Sequence, residues 1–211
     1  MLRSRKYREH TRVMKKESSL YKNAYTEGIP QEEIDRLRTF RYPDAVSLEI
    51  LGNMRGKRVL DAGAGARAGI AEYVEKSGGT YAAVDVQARM LQALQEDADA
   101  RRTEIKRVQG RVEQLPFQDN SFDMVHVRFV LMHLPPRERA QAIQEFTRVA
   151  KEKIHLLEFN WGTVTSEANP EETKEFEKLF TLFSSLVGAH QQIGAELGEL
   201  VRGVLKESGS R

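Results

Sequence analysis

Cysteine is absent from this 211-residue chain, so disulfide bonds, thiolate metal sites and a cysteine nucleophile are all excluded. Long apolar runs are missing too, because no window approaches the roughly 18 continuous apolar residues of a membrane-spanning helix. The first eight residues carry charge without the apolar core of a secretory signal. These absences predict a cytoplasmic protein without a membrane span, and no residue pattern in the chain predicts a metal site.

Positive charge is concentrated at the beginning of the chain. Residues 1–16 contain seven Lys or Arg and one acid, Glu9, which leaves a net charge of −4 on the rest of a chain whose total is +2. A basic segment can bind phosphate backbones, but aromatic side chains that would stack on bases are represented here by Tyr7 alone. We therefore interpret the segment as a solvated helix and do not expect a nucleic-acid partner.

Hydrophobic periodicity predicts an α/β fold. Residues 31–53 show helical spacing in two short segments separated at Pro43. Further along, predicted strands alternate with predicted helices, which is typical of an open, doubly wound, mostly parallel sheet. The predicted elements are strands at Arg58–Ala62, Thr80–Asp85, Glu104–Gln109, Phe122–Phe129 and Lys153–Phe159, and helices at Ala68–Lys76, Ala88–Asp97 and Pro136–Ala150.

The same patterns divide the chain into three parts. Residues 1–43 form a basic arm and cap helices, residues 44–160 the α/β domain, and residues 161–211 a helical segment that completes the same domain. Two apolar helical stripes, Phe176–Val187 and Leu197–Leu205, lie in the last part. They are expected to serve as core or as a subunit contact, so the terminal helices are candidates for self-association.

A glycine-rich turn follows the first predicted strand. Gly63-Ala64-Gly65 lies between a strand and a helix, where backbone N–H groups can meet a ligand. Asp61, two residues before the first glycine, would repel a pyrophosphate and attract an ammonium group, which favours a nucleoside that carries an amino acid. With Ala68 in place of a third glycine the loop also satisfies the dinucleotide pattern, so the glycines alone do not decide between these ligands.

An acidic residue ends the second predicted strand. Asp85 lies 22 residues beyond Gly63, where a carboxylate can accept hydrogen bonds from both hydroxyls of a ribose. It binds ribose under either nucleotide interpretation. The alternative is that Asp85 caps the following helix.

Three ordered segments resemble the class I S-adenosylmethionine-dependent methyltransferases, most closely the ubiquinone/menaquinone-biosynthesis type and its small-molecule relatives. The segments are Val59–Gly65, Ala83–Leu91 and Gly110–Val125, and the resemblance covers roughly residues 45–160. It implies a Rossmann-like methyltransferase fold, S-adenosylmethionine as cofactor and a small-molecule acceptor. Members of this family end with two further strands that this chain does not match, so we expect the apolar edge at 154–159 to be covered by the C-terminal helices, by another subunit, or not at all.

The resemblance also implies roles for individual residues in cofactor binding. Asp61 and the backbone of residues 62–65 would hold the methionine moiety, Asp85 the ribose, and Val86 and Met90 the adenine. Arg111 stands where the family has an acid that meets the adenine amino group, which leaves the backbone of Val112 as the contact there. Arg67 is a second departure, from a glycine. The implied cofactor-binding set is Asp61, Ala62, Gly63, Ala64, Gly65, Asp85, Val86, Met90, Arg111, Val112 and Arg128.

Catalytic and acceptor-binding residues are less sharply marked. His133 is a candidate base, since an imidazole near the methyl donor can accept a proton from the attacking group. The alternative is a structural histidine that orients its loop. Aromatic residues beside the predicted crevice favour an apolar or aromatic acceptor, and the candidates are Tyr21, Tyr25, Phe129 and Trp161.

The leading hypothesis is therefore a methyltransferase that acts on a small, apolar or aromatic acceptor by in-line displacement. One alternative is an NAD(P)-dependent oxidoreductase, which the glycines and Asp85 favour and Asp61 opposes. Another is a cofactor-binding protein without enzymatic activity, suggested by Arg67 and Arg111.

Overall fold

The computed structural model describes residues 29–39, 42–158, 160 and 193–207, and the basic arm at residues 1–16 lies outside these ranges. Within them no helix is long and apolar enough to cross a membrane. The elements in chain order are α1 (Gln31–Thr39), α2 (Tyr42–Leu51), β1 (Arg58–Ala62), α3 (Gly69–Lys76), β2 (Thr80–Asp85), α4 (Ala88–Arg101), β3 (Lys106–Gln109), β4 (Phe122–Arg128), a 3₁₀ turn (Leu131–His133), α5 (Pro136–Val149), β5 (Ala150–Leu157) and α6 (Ile193–Glu207).

The five strands form one parallel sheet in the order β3-β2-β1-β4-β5. The strand order reverses between β1 and β4, so the crossover helices leave opposite faces of the sheet at this point. In such sheets a crevice opens outside the carboxyl ends of the two central strands. The segments that follow β1, β2, β4 and β5 therefore meet at one edge.

Helices bury both faces of the sheet, as a parallel sheet requires. Val59, Tyr81 and Met124 face α2, α3 and α4, whereas Leu60 and Val125 face α5 and α6. Helix α6 packs against α5 and adds Ile193 and Val204 to the second core. The two cores hold the central strands rigidly and leave their carboxyl ends to the loops.

The predicted doubly wound fold is confirmed, and β1 and β2 have the predicted bounds. The two predicted short helices are present as α1 and α2, and Pro43 lies in the first turn of α2, where its fixed φ and missing N–H are tolerated. Strand β5 begins at Ala150, three residues earlier than predicted, since Ala150 already pairs with Phe122 of β4.

The C-terminal predictions are covered in part. The described residues contain five strands, and the stripe Leu197–Leu205 is helical within α6, where it packs as core against α5. The stripe Phe176–Val187 and Phe159, at the end of the predicted strand edge, lie outside the described residues.

Candidate active site

The turn after β1 brings two glycines with left-handed backbone to the crevice. The N–H groups of Gly63 and Ala64 donate to the Val84 carbonyl at 2.8 and 3.2 Å, which ties the turn to the end of β2. Gly63 has φ of +74°, and a Cβ there would lie 2.3 Å from Cγ2 of Val130. Gly65 has φ of +66°, and no atom lies within 4 Å of its Cβ position. Gly63 is thus required for packing, whereas Gly65 faces open space.

Asp85 joins this turn to the end of β2. Its Oδ2 accepts the Gly65 N–H at 3.0 Å and its Oδ1 accepts the Gln87 N–H at 2.9 Å. Burial raises the pKa of Asp85, while these backbone donors and the N–H of Val86 oppose the rise and the charge of Asp61 adds to it. A carboxylate has about four lone-pair sites, so beside these three backbone donors about one remains for a further donor such as a hydroxyl.

Asp61 is fully buried beneath the turn. Its Oδ2 accepts the Tyr81 hydroxyl at 2.9 Å and lies 3.7 Å from the Arg128 guanidinium of β4. The negative charge of Asp61 is therefore balanced by Arg128 inside the sheet, and a ligand ammonium would share the carboxylate with both partners. Tyr81 was not singled out from the sequence, because its contact with Asp61 depends on strand register.

The residues expected to contact an adenine differ in exposure. Val86 is 40% exposed although it is apolar, so it presents a surface on which a planar ring can pack. Met90 is buried in a cluster with Ile29, Ile34 and Ala66 and so fixes the cap helix α1 to the glycine-rich turn.

The two sequence departures have different surroundings. Arg111, at the end of β3, has an exposed side chain that forms ion pairs with Glu113 and, at 3.3 Å, with Glu138 of α5. The neighbouring Val112 is buried. Arg67 is buried within the turn itself. Arg111 therefore faces acids of the chain and the crevice rim, whereas Arg67 belongs to the interior of the loop.

The segment after β4, residues 129–135, is called the post-β4 loop here. It begins at Phe129, a bulky residue with left-handed backbone at φ of +54°, whose N–H donates to the Leu157 carbonyl at 2.8 Å. The N–H groups of Val130 and Leu131 both donate to Oε1 of Glu158, at 2.9 and 2.7 Å. Burial raises the pKa of Glu158 to about 7. Sequence reasoning missed Glu158, whose only signal is a carboxylate directly after an apolar strand.

His133 ends the 3₁₀ turn in this loop. Burial lowers its pKa to about 4, while Glu33 and Arg36 of α1 act on it in opposite directions. The imidazole is therefore neutral at pH 7 and faces the cap helix. Phe129 is half-buried against the core, and the other three candidate acceptor-binding residues, Tyr21, Tyr25 and Trp161, lie outside the described residues.

A second pair of titratable groups lies between β4 and β5. His126 and His155 are register partners, and their Nδ1 atoms are 2.7 Å apart with ring centroids at 4.7 Å. One ring must donate and the other accept in this bond. Burial lowers the pKa of both imidazoles, assisted in both by the charge of Arg128. The pair was not foreseen, because it depends on cross-strand register.

Comparison with known proteins adds to this geometry. Residues 60–157 match a family model described as a methyltransferase domain. A demethylmenaquinone methyltransferase from Renibacterium salmoninarum is 33% identical over 118 residues, which cover 55% of this chain and 47% of the relative. One from Shouchella clausii is 38% identical over 89 residues, or 41% of this chain and 37% of the relative. The chain thus spans about half the length, or less, of these curated relatives.

Solved structures show the same architecture. A SAM-dependent methyltransferase from Aquifex aeolicus has a TM-score of 0.56 and 21% identity, with 74% of this chain and 87% of that chain covered. A phosphoethanolamine N-methyltransferase from Haemonchus contortus, solved with S-adenosyl-L-methionine, has a TM-score of 0.56 and 21% identity, with 77% of this chain and 36% of that chain covered. At these identities the likeness shows a shared fold.

Proposed function

We propose that the chain is a class I S-adenosylmethionine-dependent methyltransferase, as the match of residues 60–157 to the methyltransferase domain model supports, and that it methylates a small, apolar or aromatic acceptor by in-line displacement. The observation that carries the proposal is the pairing of Gly65 with Asp85. Gly65 offers open space at a backbone turn, and Asp85 offers a buried carboxylate with about one lone-pair site left for a ligand.

The residues at the carboxyl ends of β1 and β2 fit an adenosyl group. In the proposal Asp85 accepts a ribose hydroxyl at the lone-pair site that the N–H groups of Gly65, Gln87 and Val86 leave open. Val86 packs on the adenine through its exposed side chain. Met90 supports this surface from below, because its own side chain is engaged with the cap helix.

The remaining cofactor contacts concern the methionine and adenine ends. Asp61 attracts the ammonium group from beneath the turn, and Arg128 balances the buried carboxylate and reaches the same end of the crevice. The backbone of Ala62, Gly63, Ala64 and Gly65 lines the methionine moiety. Val112 contributes its backbone at the adenine, with Arg111 at the rim.

Methyl transfer from a sulfonium demands positioning more than covalent help. S-adenosylmethionine, when bound, supplies a methyl group that is already activated. The protein then contributes by holding the acceptor in line in a site from which water is excluded. His133 is neutral at pH 7 and is proposed to accept the proton that an attacking hydroxyl or amine loses, although a pKa of about 4 makes it a weak base.

The relatives favour one class of acceptor. The matched curated proteins are named demethylmenaquinone methyltransferases, and that name supports an apolar, aromatic acceptor for this chain. Phe129 is proposed to line the acceptor side of the crevice together with Tyr21, Tyr25 and Trp161. A cytoplasmic location, self-association through terminal helices and the absence of a nucleic-acid partner stay predictions from the sequence.

Titration calorimetry with S-adenosylmethionine, S-adenosylhomocysteine and NAD tests the proposal. We expect both methionine derivatives to bind and NAD to bind far more weakly, because Asp61 places negative charge under the turn. Tight binding of NAD without either methionine derivative would instead support the oxidoreductase. Transfer of a labelled methyl group to a demethylated quinol or to an extract of the host then separates an enzyme from a cofactor-binding protein.

A further inference from the structure

The post-β4 loop is held by side chains from two other elements. Glu158, directly after β5, accepts the N–H groups of Val130 and Leu131 at one oxygen, at 2.9 and 2.7 Å. Arg139 of α5 donates from Nε to the Leu131 carbonyl at 2.9 Å. Both polar groups of the Leu131 backbone are therefore bound by ionisable side chains, of which Arg139 is buried and Glu158 half-buried. Such groups, when charged, form stronger hydrogen bonds than neutral partners do.

This loop needs such support because its entry is strained. Phe129 is the only residue among the described ranges in which a bulky aromatic side chain sits on left-handed backbone. Backbone of this kind persists only where surrounding structure holds it, and it concentrates at functional sites. The bond from Phe129 to Leu157 lies immediately before the two bonds that Glu158 accepts.

The held segment touches the candidate site on both sides. Val130 packs so closely over Gly63 that a Cβ at residue 63 would meet its Cγ2 at 2.3 Å. His133 follows two residues after Leu131 in the same 3₁₀ turn. The position of this segment therefore determines where Val130 packs on the glycine-rich turn and where the His133 imidazole lies.

We propose that Glu158 is a positioning residue of the candidate methyl-transfer site. Its carboxyl group accepts the N–H groups of Val130 and Leu131, a pair of hydrogen bonds called the clasp here, and fixes the post-β4 loop against the glycine-rich turn. A role in methyl transfer rests on the proposed function, whereas the contact between Glu158 and the loop backbone is a matter of geometry alone. Glu158 acts through Val130 and His133 and needs no contact with a substrate.

Three substitutions of Glu158 distinguish the position of its acceptor oxygen, its charge and the presence of the acceptor. Glu158→Gln keeps an acceptor oxygen at the same reach and removes the ionisable group. Glu158→Asp keeps the charge and withdraws the oxygen by one methylene, and Glu158→Ala removes the acceptor. Glu145→Ala is the matched control, because Glu145 also accepts a backbone N–H, from Leu115 at 2.7 Å, away from the site.

Amide hydrogen exchange on the full chain measures the clasp directly. In Glu158→Ala and Glu158→Asp we expect residues 130 and 131 to exchange about 10- to 100-fold faster, while amides of β1 and β2 stay protected. Glu158→Gln should restore most of the protection. The control should accelerate exchange at Leu115 and leave residues 130 and 131 unchanged.

Unchanged exchange at residues 130 and 131 in both shortened variants would overturn the proposal, as would an equal acceleration throughout the sheet. If Glu158→Ala does not fold, the comparison of Glu158→Asp with Glu158→Gln decides.

Calorimetry with S-adenosylhomocysteine adds the link to function. We expect roughly tenfold weaker binding in Glu158→Ala and near-native binding in Glu158→Gln. Failure of the unaltered chain to bind S-adenosylhomocysteine would overturn the proposed function while the exchange pattern still reports on the clasp.

Discussion

The crevice has two halves, one at the ends of β1 and β2 and one at the ends of β4 and β5, and the turns in the two halves are formed by different residue types. At the ends of β1 and β2 the left-handed residues are glycines. Asp85, at the end of the neighbouring strand β2, accepts a backbone N–H of the turn that follows β1. At the ends of β4 and β5 the chain places Phe129 on left-handed backbone and holds the loop with Glu158. Left-handed backbone causes little strain at the glycines of the first half, whereas it strains the backbone at Phe129 in the second half.

The difference extends to the titratable groups. The half at the ends of β1 and β2, which is proposed to bind the cofactor and is called the cofactor half, balances its buried carboxylates with a hydroxyl, backbone donors and Arg128. The half at the ends of β4 and β5, which is proposed to bind the acceptor and is called the acceptor half, contains His126, His155 and Glu158, and burial moves the pKa of each toward the uncharged form. Because one half pairs its carboxylates and the other contains titrating groups, we expect mutation and pH to affect the two halves separately.

Gly63→Ala should have the largest effect and would show how far the halves depend on each other. Left-handed backbone costs alanine roughly 1–2 kcal/mol, and the added Cβ also displaces the Val130 side chain that packs on the turn. We expect a loss of several kcal/mol in the free energy of unfolding and no measurable binding of S-adenosylhomocysteine, as followed by urea denaturation and calorimetry.

Gly56→Ala is the matched control for this variant. Gly56 has φ of +70° with no atom within 4 Å of its Cβ position, and it lies before β1, outside the crevice. It should show the backbone cost of roughly 1–2 kcal/mol and unaltered cofactor binding. Equal stability losses in the two variants would mean that Val130 moves aside freely, and the halves would then be independent.

This first contrast also explains what the sequence makes predictable. Glycines and an acid at fixed spacing after apolar runs identify β1, β2, the turn and Asp85, because local backbone geometry demands those residue types. The clasp by Glu158 joins residues 27 and 28 positions apart, and the contact of His126 with His155 depends on register. Nothing in their local sequence distinguishes them, so long-range contacts of ordinary residue types were missed.

Asp85→Asn should weaken the cofactor half without disturbing the other. The amide keeps one acceptor and places donors toward a backbone N–H of Gly65 or Gln87, and it loses the charge that is proposed to bind the ribose. Because a hydrogen bond to a charged group contributes about 1.5–3 kcal/mol, its loss should raise the dissociation constant of S-adenosylhomocysteine about 10- to 100-fold, as measured by calorimetry.

Asp99→Asn is a control on the same side of the sheet, since Asp99 is an exposed residue of α4 that accepts a bond from Gln95. It should bind the ligand normally. Normal binding by Asp85→Asn as well would remove Asp85 from the ribose site and leave it as a link between Gly65 and Gln87.

The pH dependence of stability should reveal two opposing contributions within the acceptor half. Buried His126 and His155 stay neutral in the fold, with pKa values below the ordinary 6.5, so their contribution to stability is present above pH 6.5 and is lost as the pH falls through their folded values. Glu158 has a folded pKa of about 7 against an ordinary 4.5, so its contribution is present below pH 4.5 and is lost as the pH rises through 7.

Urea denaturation between pH 5 and pH 8 separates these contributions. In the variant His126→Leu with His155→Leu, acidification below pH 6.5 should cost less stability, by up to about 1.4 kcal/mol per pH unit for each proton. In Glu158→Gln the loss on acidification should become steeper. Identical pH profiles in all three proteins would contradict the buried, shifted state of these groups.

Arg111→Ala should have the smallest effect and sharpens the comparison from the cofactor side. Its side chain is 57% exposed, and exposed ion pairs contribute about 0–1 kcal/mol, so its pairs with Glu113 and Glu138 add little to stability. Binding of S-adenosylhomocysteine should change by less than about fivefold, since that factor corresponds to about 1 kcal/mol. Arg202→Ala, which removes an exposed pair with Glu199 on α6, is the control. A much larger loss of affinity in Arg111→Ala alone would mean that the guanidinium contacts the adenine, so that cofactor binding depends on a residue that departs from the family pattern.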